Sequence, residues 1–416
     1  MTDRPAFAPT TAALAPDAAP GPLAGVLVLD LSRVFAGPLA TMALGDLGAE
    51  VVKVEHPERG DDTRDWGVKV GATESSYYLA ANRNKRSIAV DLAADEGRDL
   101  VRALARKADI VIENFRKGTA DRMGLGYAAL AAENPGLVYC SISGYGRDGA
   151  EGDRPGYDVV VQGEAGLMAM NGEADRPPVK FGIAAVDLVT GLSAGQAILA
   201  ALFDRGRTGR GRHIELSLFD CGIALTSYIG VEALTTGREP LRAGNGHPAI
   251  VPYGVFAAAD GPIVVAVGTT AQFRAFCRQV IGRPDLADDP RFSTNVGRSR
   301  DRGALLPEIA AALAVRSRAE LLAGLAAAGI PAGEVLGLAE TLAGERVAAA
   351  GLVVPFEHPE AGPVAVLAPP FRLDGERAPV RRAPPGLGAD TDAVLAEHLC
   401  LDAAAVARLR AAGIVR

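Results

Sequence analysis

Cysteine is scarce in this chain. There are four in 416 residues (Cys140, Cys221, Cys277 and Cys400), none in a CxxC and none grouped with histidine. That spacing excludes a disulfide scaffold or a compact zinc module and fits reduced thiols in a cytoplasmic protein. Positive charge is in deficit too. Lys plus Arg number 43 against 50 for Asp plus Glu, a formal net charge of −7, which argues against the basic face of a general nucleic-acid binder. It leaves open a local basic pocket for a small anion. No run approaches the roughly 20 apolar residues needed to span a bilayer. Residues 1–22 are rich in Ala, Pro and Thr but carry Asp3 and Asp17, so they read as a disordered tail and not as a signal peptide. GxxxxGK[ST] and HExxH are absent, which disfavours a P-loop hydrolase and a compact metal site. The loop after the first strand reads SRVFAGP, not the GxGxxG that a dinucleotide pyrophosphate requires.

What is present is a large apolar inventory, 49% of the chain, and a repeating order of short apolar runs and helical segments. At about 150 residues per domain the length gives two or three domains. Val26 to Leu31, Ala49 to Glu55, Arg86 to Leu92, Asp109 to Glu113 and Leu137 to Ile142 read as strands, with helices opening at Pro38 and running from Asp95 to Lys107. Strands alternating with helices predict a parallel sheet covered on both faces. Residues 144–181 are loop-rich, Gly191 to Arg205 reads as a helix, and His213 to Phe219 as a strand. From Tyr228 the character changes: Tyr253 to Ala258 and Pro262 to Val267 form a hairpin through Asp260-Gly261, a favoured tight-turn pair, and helices follow over 271–281 and 303–328, the latter broken near 316–318. The expected organisation is a tail over 1–22, a large domain over 23–227, a small α+β domain over 228–335, and a return to the large domain over 336–416 with a helix near Asp392 to His398.

Two motifs bear on chemistry. Gly191-Leu192-Ser193-Ala194-Gly195 fits GxSxG, the nucleophile elbow of α/β-hydrolases. An elbow needs a sharp strand-to-helix turn, whereas Ser193 lies within a helical segment whose small residues suit close helix packing. Asp187, upstream in AAVDL, has two readings. It is an N-cap, worth roughly 1 kcal/mol, or a reactive carboxylate kept ionised at a helix N-terminus in a partly dry site.

Several segments taken together resemble a known family. They are LDLSRVFAGPLATMALGDLGAEVVKVEHP (29–57), NRNKRSIAVDL (82–92), ADIVIENFRKGTADRMGLG (108–126), SGYG (143–146), RPGYDVVVQGEAGLM (154–168) and TGRGRHIELSLFD (208–220). The set is similar to the class III CoA-transferases, which act on formyl-CoA, carnitinyl-CoA and succinyl-CoA with dicarboxylates. The resemblance implies a Rossmann-like parallel-sheet large domain with a smaller α+β domain, an interlaced homodimer, and a CoA thioester as co-substrate with neither metal nor permanently bound cofactor. It assigns the covalent role to Asp187, in FGIAAVDLVTG. It places CoA against Val34, Ala36, His56, Asn114, Phe115, Arg122 and Met123, and puts Tyr157 and Gln162 near the reacting acyl group. Phe35 stands where formyl-CoA transferases have glutamine, and Gly246 and His247 stand in the small-domain loop where they have a glycine run. Oxalate and formyl groups are therefore disfavoured, and the acceptor expected is succinate, glutarate, itaconate, malate or citramalate, with Arg33 and His247 as candidates for its distal carboxylate.

The alternative within the resemblance is a 2-methylacyl-CoA racemase, which pairs a histidine with the aspartate. Here that position is Tyr157, and a phenol with a pKa near 10 is a poor proton shuttle at neutral pH. A third reading is a CoA-thioester-binding scaffold in which Asp187 is structural.

Overall fold

Strands that are buried on both faces need near-continuous β-branched runs, and the sequence supplies them. In the computed structural model, which describes residues 12–416, four of these runs form one parallel sheet together with the polar but buried strand KRSIA and the half-exposed edge strand HIELS. The six strands are β1 (Leu27–Asp30), β2 (Glu50–Glu55), β3 (Lys85–Ala89), β4 (Ile110–Glu113), β5 (Val138–Ser143) and β6 (His213–Ser217), in the order β3-β2-β1-β4-β5-β6. Each pair is parallel. The order reverses between β1 and β4, and in open sheets of this kind ligands sit in the crevice outside the strand ends at that point. The α-helix Ala36–Asp46 follows β1, Asp95–Lys107 follows β3, and the 24-residue helix Ala185–Thr208 precedes β6. Asp95–Lys107 has Asp95 and Glu96 in its first turn and Arg106 and Lys107 in its last, matching its dipole at both ends.

The helix Ala185–Thr208 is long and apolar enough to cross a membrane, contrary to the expectation that no segment reaches that length. The reason is composition: small and apolar residues flank Asp187, Thr190, Ser193 and Gln196, so the run is apolar on average without being continuous. Val186, Thr190, Gly191, Ala194 and Ile198 form its buried face.

The chain folds into two units. Among the described residues, the first comprises 12–165, 182–227 and 342–416, and the second 166–181 and 228–341. Residues 166–181, read from the sequence as part of the large domain, belong to the second unit. Gly244 N donates to Gly172 O at 3.0 Å, and the Arg242 guanidinium holds the carbonyls of Glu173, Ala174 and Arg176. The return to the first unit comes at 342 and not 336.

The second unit has an antiparallel sheet, β7 (Tyr253–Ala258), β8 (Gly261–Ala266) and β9 (Ala332–Glu334), with the expected hairpin between the first two. Its core joins Ile263, Val265, Phe273, Phe276, Leu305, Ile309 and Leu325. The helix expected over 271–281 changes character midway, from α over Thr270–Ala275 to a π turn over Phe276–Val280.

The returning segment of the first unit holds a hairpin, β10 (Val353–His358) with β11 (Gly362–Leu367), the expected closing helix at Thr391–Leu399, and one more helix at Ala403–Ala411. It covers the free edge of β3. Asp390 N donates to Ser87 O at 2.9 Å and Arg416 N to Ala89 O at 3.2 Å, Ser87 N donates to Asp390 Oδ2 at 2.9 Å, and Ala89 N to Thr391 Oγ1 at 3.2 Å. Of the expected disordered tail, residues 1–11 lie outside the described residues. Over 12–22 the chain is anchored: Ala15 N donates to Val380 O at 2.9 Å, and Ala12 and Leu14 pack against Val70, Val354 and Phe356.

Candidate active site

The long helix begins with exposed backbone donors that something must satisfy. Its N-cap, Ala184, offers no side chain for this. Asp158 supplies the acceptor from another element: its Oδ1 takes Val186 N at 2.8 Å and Asp187 N at 3.3 Å. Asp158 opens the helix Asp158–Glu164, and Gln162, one turn on, steadies it by donating from Nε2 to Asp158 Oδ2 at 2.6 Å and to Ile183 O at 3.3 Å. The capping role therefore falls to Asp158, and Asp187 in the first turn is not the cap.

Asp187 is 8% exposed, and among the described residues no ion pair or hydrogen bond is made by its carboxylate. Burial first, and the Asp158 charge second, push its pKa up to about 7. One turn on, Gly191 shares its face. A Cβ there would stand 2.8 Å from Ala36 O and 2.9 Å from the Leu39 side chain, so glycine is what lets the long helix approach the start of helix Ala36–Asp46. Ser193 lies inside the long helix, with no strand-to-helix turn at it, which removes the elbow reading.

Tyr77 lies within electrostatic reach of Asp187: burial first, then the charges of Asp187 and Asp158, raise the pKa of its hydroxyl. Its ring meets Phe35 edge-on at 5.3 Å and Trp66 at 5.5 Å, and Trp66 is 6.5 Å from Tyr157. Tyr157 is 57% exposed, so this aromatic wall is open at that end. No histidine is among the groups acting on Asp187 or Tyr77.

At the strand-order reversal, the loop after β1 is stitched to the loop after β4. Arg33 N donates to Asn114 Oδ1 at 2.9 Å and Asn114 Nδ2 to Arg33 O at 2.8 Å. A cavity of about 340 Å³ opens there, lined by Leu31, Arg33, Val54, His56, Arg59, Val90, Phe115, Thr119 and Met123 among others. Arg33 lies over the Phe115 ring at 5.8 Å. Glu55, Asp61 and Asp91 also line it, but Glu55 and Asp61 are neutralised by Arg64 and Lys53, so the walls offer a planar base carrying phosphates an apolar slot with two guanidinium groups and an imidazole.

Of the residues expected to bind CoA, His56, Phe115 and Met123 line this cavity and Val34 and Ala36 lie in the loop and helix start beside it. Asn114 instead uses its amide to clamp the Arg33 backbone. Arg122 is exposed and not on the cavity wall; its guanidinium donates to Thr119 Oγ1 at 2.9 Å. Arg33, expected to meet the distal carboxylate, is on the cavity wall with the CoA group. Gln162, expected at the acyl group, is fully buried behind Asp158. Phe35 and Tyr157 are on the aromatic wall. Gly246 and His247 belong to the second unit, where His247 Nδ1 accepts from Ala249 N and Ile250 N at 3.0 and 3.1 Å and its ring stacks on Tyr228.

Sequence reasoning missed Asp158, Trp66, Tyr77 and Arg59. Asp158 and Trp66 carried a usable signal, an acid beside Tyr157 and the single tryptophan of the chain. Glu50, Glu397 and His398 bring three donor atoms within 4.8 Å of one another, but Arg86 occupies the cation position, bonded to the two carboxylates at 2.8 and 2.6 Å.

Comparison with known proteins gives a consistent picture. A profile described as CoA-transferase family III matches residues 23–391. The chain is 40% identical over 394 residues to a Mus musculus succinyl-CoA:glutarate CoA-transferase, covering 95% of this chain and 90% of that one. It is 41% identical over 382 residues to a succinate–glutarate CoA-transferase of Agrobacterium fabrum, covering 90% and 95%. Among solved structures, a CAIB/BAIF family protein from Brucella suis superposes with a TM-score of 0.81 at 40% identity, over 91% of this chain and all of that one.

Proposed function

The chain belongs to CoA-transferase family III, and we propose that it moves CoA from an acyl-CoA donor such as succinyl-CoA to a dicarboxylic acid, with Asp187 as the covalent carrier. The observation that carries this reading is the buried Asp187 carboxylate, free of any cation among the described residues and one helical turn from Gly191, which abuts the helix start at Ala36. The carboxylate attacks the donor thioester, forming a mixed anhydride and releasing CoA thiolate. The thiolate attacks the aspartyl carbonyl of that anhydride, leaving aspartyl-CoA thioester and the free donor acid. The acceptor carboxylate then attacks the aspartyl thioester, and the released thiolate takes the acceptor's acyl group from the second anhydride, returning Asp187. Each step exchanges one acyl bond for another of similar energy, so neither ATP nor a metal is called for. His56, Arg59 and Arg33 fit the nucleotide end and Phe115 and Met123 the base, while Phe35, Trp66, Tyr77 and Tyr157 bound the acyl end.

Relatives named for succinate and glutarate support a C4–C6 dicarboxylate acceptor. The 2-methylacyl-CoA racemase alternative is disfavoured because the one charged group acting on Asp187 among the described residues is a second carboxylate, Asp158, and not a histidine. Incubation with succinyl-CoA and glutarate, itaconate, malate, citramalate or oxalate, without ATP, tests the reading. New acyl-CoA from the longer acids is expected. Transfer to none of them, with deuterium exchange at C2 of a 2-methylacyl-CoA, overturns it. Hydroxylamine should trap acylated enzyme at Asp187, and Asp187→Ala turning over at the wild-type rate would refute the carrier assignment.

The same proposal includes an interlaced homodimer. Its support is an apolar stripe on the long helix: Leu192, Leu199 and Phe203, at helical spacing, are 64%, 37% and 73% exposed. Phe203→Asp is expected to lower the mass seen by light scattering; an unchanged mass sinks the stripe as the contact. The buried free thiols of Cys140, Cys221 and Cys277 support a reducing, cytoplasmic setting.

A further inference from the structure

Val34 has φ of +71°, a left-handed conformation that a β-branched residue adopts only when its surroundings impose it. A buried ion pair holds the loop at this point. Lys53 in β2 and Asp61 in the loop beyond β2 meet at 2.9 Å, and neither side chain reaches solvent. Lys53 Nζ also donates to Ser32 O at 2.9 Å. Both Asp61 carboxylate oxygens accept from Val34 N at 3.2 Å. The pair thus grips the loop on either side of Arg33, whose own N and O are held by Asn114. Asp61 Oδ1 further accepts from Thr63 N at 3.0 Å and Thr63 Oγ1 at 2.8 Å, capping the 3₁₀ turn Asp62–Asp65 that leads into Trp66. One carboxylate therefore ties the cavity wall at Arg33 to the aromatic wall beside Asp187.

Such a pair is a poor device for stability alone, because apolar replacements of similar volume are often neutral or stabilising. A strained residue pinned by it points instead to a positional task. Resting on the acyl-transfer reading above, we infer that Lys53 and Asp61 form a latch that holds the β1 loop in its left-handed turn, so that a thioester running from the cavity toward Asp187 is aligned with that carboxylate. Both are positioning residues, acting through the loop.

The test uses Asp61→Asn, the double variant Lys53→Met/Asp61→Leu, which removes both charges together and keeps the site filled, and Val34→Gly added to Asp61→Asn. Turnover is expressed per active site, counted by trapping of the acylated enzyme. The first two variants are expected to lose at least about tenfold in kcat, as misalignment of a reacting centre does, while the dissociation constant for CoA moves less than about threefold because the remote contacts remain. Amide exchange over residues 31–36 should quicken in both. Glycine at 34 removes the steric drive to leave the left-handed region, so it should recover about tenfold of the Asp61→Asn loss; a merely structural lesion would show no such rescue. Turnover per site within about threefold of wild type in the double variant, no rescue by glycine, or unchanged exchange over 31–36 overturns the latch. If wild-type protein transfers no CoA, the reaction reading fails instead, and the exchange measurement alone decides the latch.

Discussion

Replacing Asp187 by asparagine should make the protein more stable, and increasingly so as the pH rises. In the folded protein the carboxyl titrates at about 7, against an ordinary value of 3.8. Each pKa unit corresponds to about 1.36 kcal/mol, so ionising this group inside the fold costs about 4 kcal/mol relative to ionising it in the unfolded chain. The sign follows from proton binding. The folded state holds the proton more tightly, so the cost is absent below the unfolded pKa near 3.8, grows as pH rises, and is complete above about 7. Asparagine has nearly the same shape and no charge to bury. Its advantage over wild type should be about 1–2 kcal/mol near pH 5 and about 4 kcal/mol near pH 8.5. Urea melts of both proteins at the two pH values, at one protein concentration, measure this directly, and the asparagine variant should carry no transfer activity. A gap of equal size at both pH values, or a less stable variant at the higher one, would refute the account of Asp187 as a carboxylate held without compensation.

The attacking species is the ionised form, so kcat/KM for the donor should fall below an acid limb at about pH 7, and Asp158→Asn, which removes the neighbouring like charge, should move that limb to lower pH; a limb that stays in place contradicts the coupling. Gly191→Ala would press a methyl against Ala36 O, and the overpacking should cost about 1–3 kcal/mol in a denaturation titration, with an unchanged midpoint counting against the close helix approach. Arg59→Ala should raise KM for acyl-CoA about tenfold with kcat preserved, the signature of lost uniform binding, and kinetics with a donor lacking the nucleotide should show no such change.

The alternation of apolar strands and amphipathic helices was legible because each element announces itself within a few residues. Asp95–Lys107 and the Tyr253–Ala258 hairpin strand follow directly from local pattern, capping charge and a turn pair. Asp187 was visible as a carboxylate in an apolar stretch, but its two roles could not be separated, since the residue that caps its helix, Asp158, is 29 positions away. Tyr77 was invisible for a related reason: it is an ordinary aromatic locally and becomes part of the site only through its ring contacts with Phe35 and Trp66 at 5.3 and 5.5 Å. Arg122 and Gln162 show how far motif position alone reaches. Motif position implies ligand contact, whereas the fold gives Arg122 a local hydrogen bond to Thr119 and buries Gln162 fully behind Asp158. The left-handed Val34 had no sequence signal at all, because the ion pair that grips its loop comes from β2 and the following loop.

The cover over β3 bears on how the chain is made. The partners of Ser87 and Ala89 lie about 300 residues further along. At 5–20 residues per second, a ribosome takes roughly tens of seconds to supply them. Throughout that interval the nascent parallel sheet exposes an unpaired edge, a template for wrong pairing with other chains, while the second unit, encoded between, has all its own strands at hand. Vectorial synthesis therefore makes the inserted unit available to fold before its host can close the β3 edge with residues 388–416.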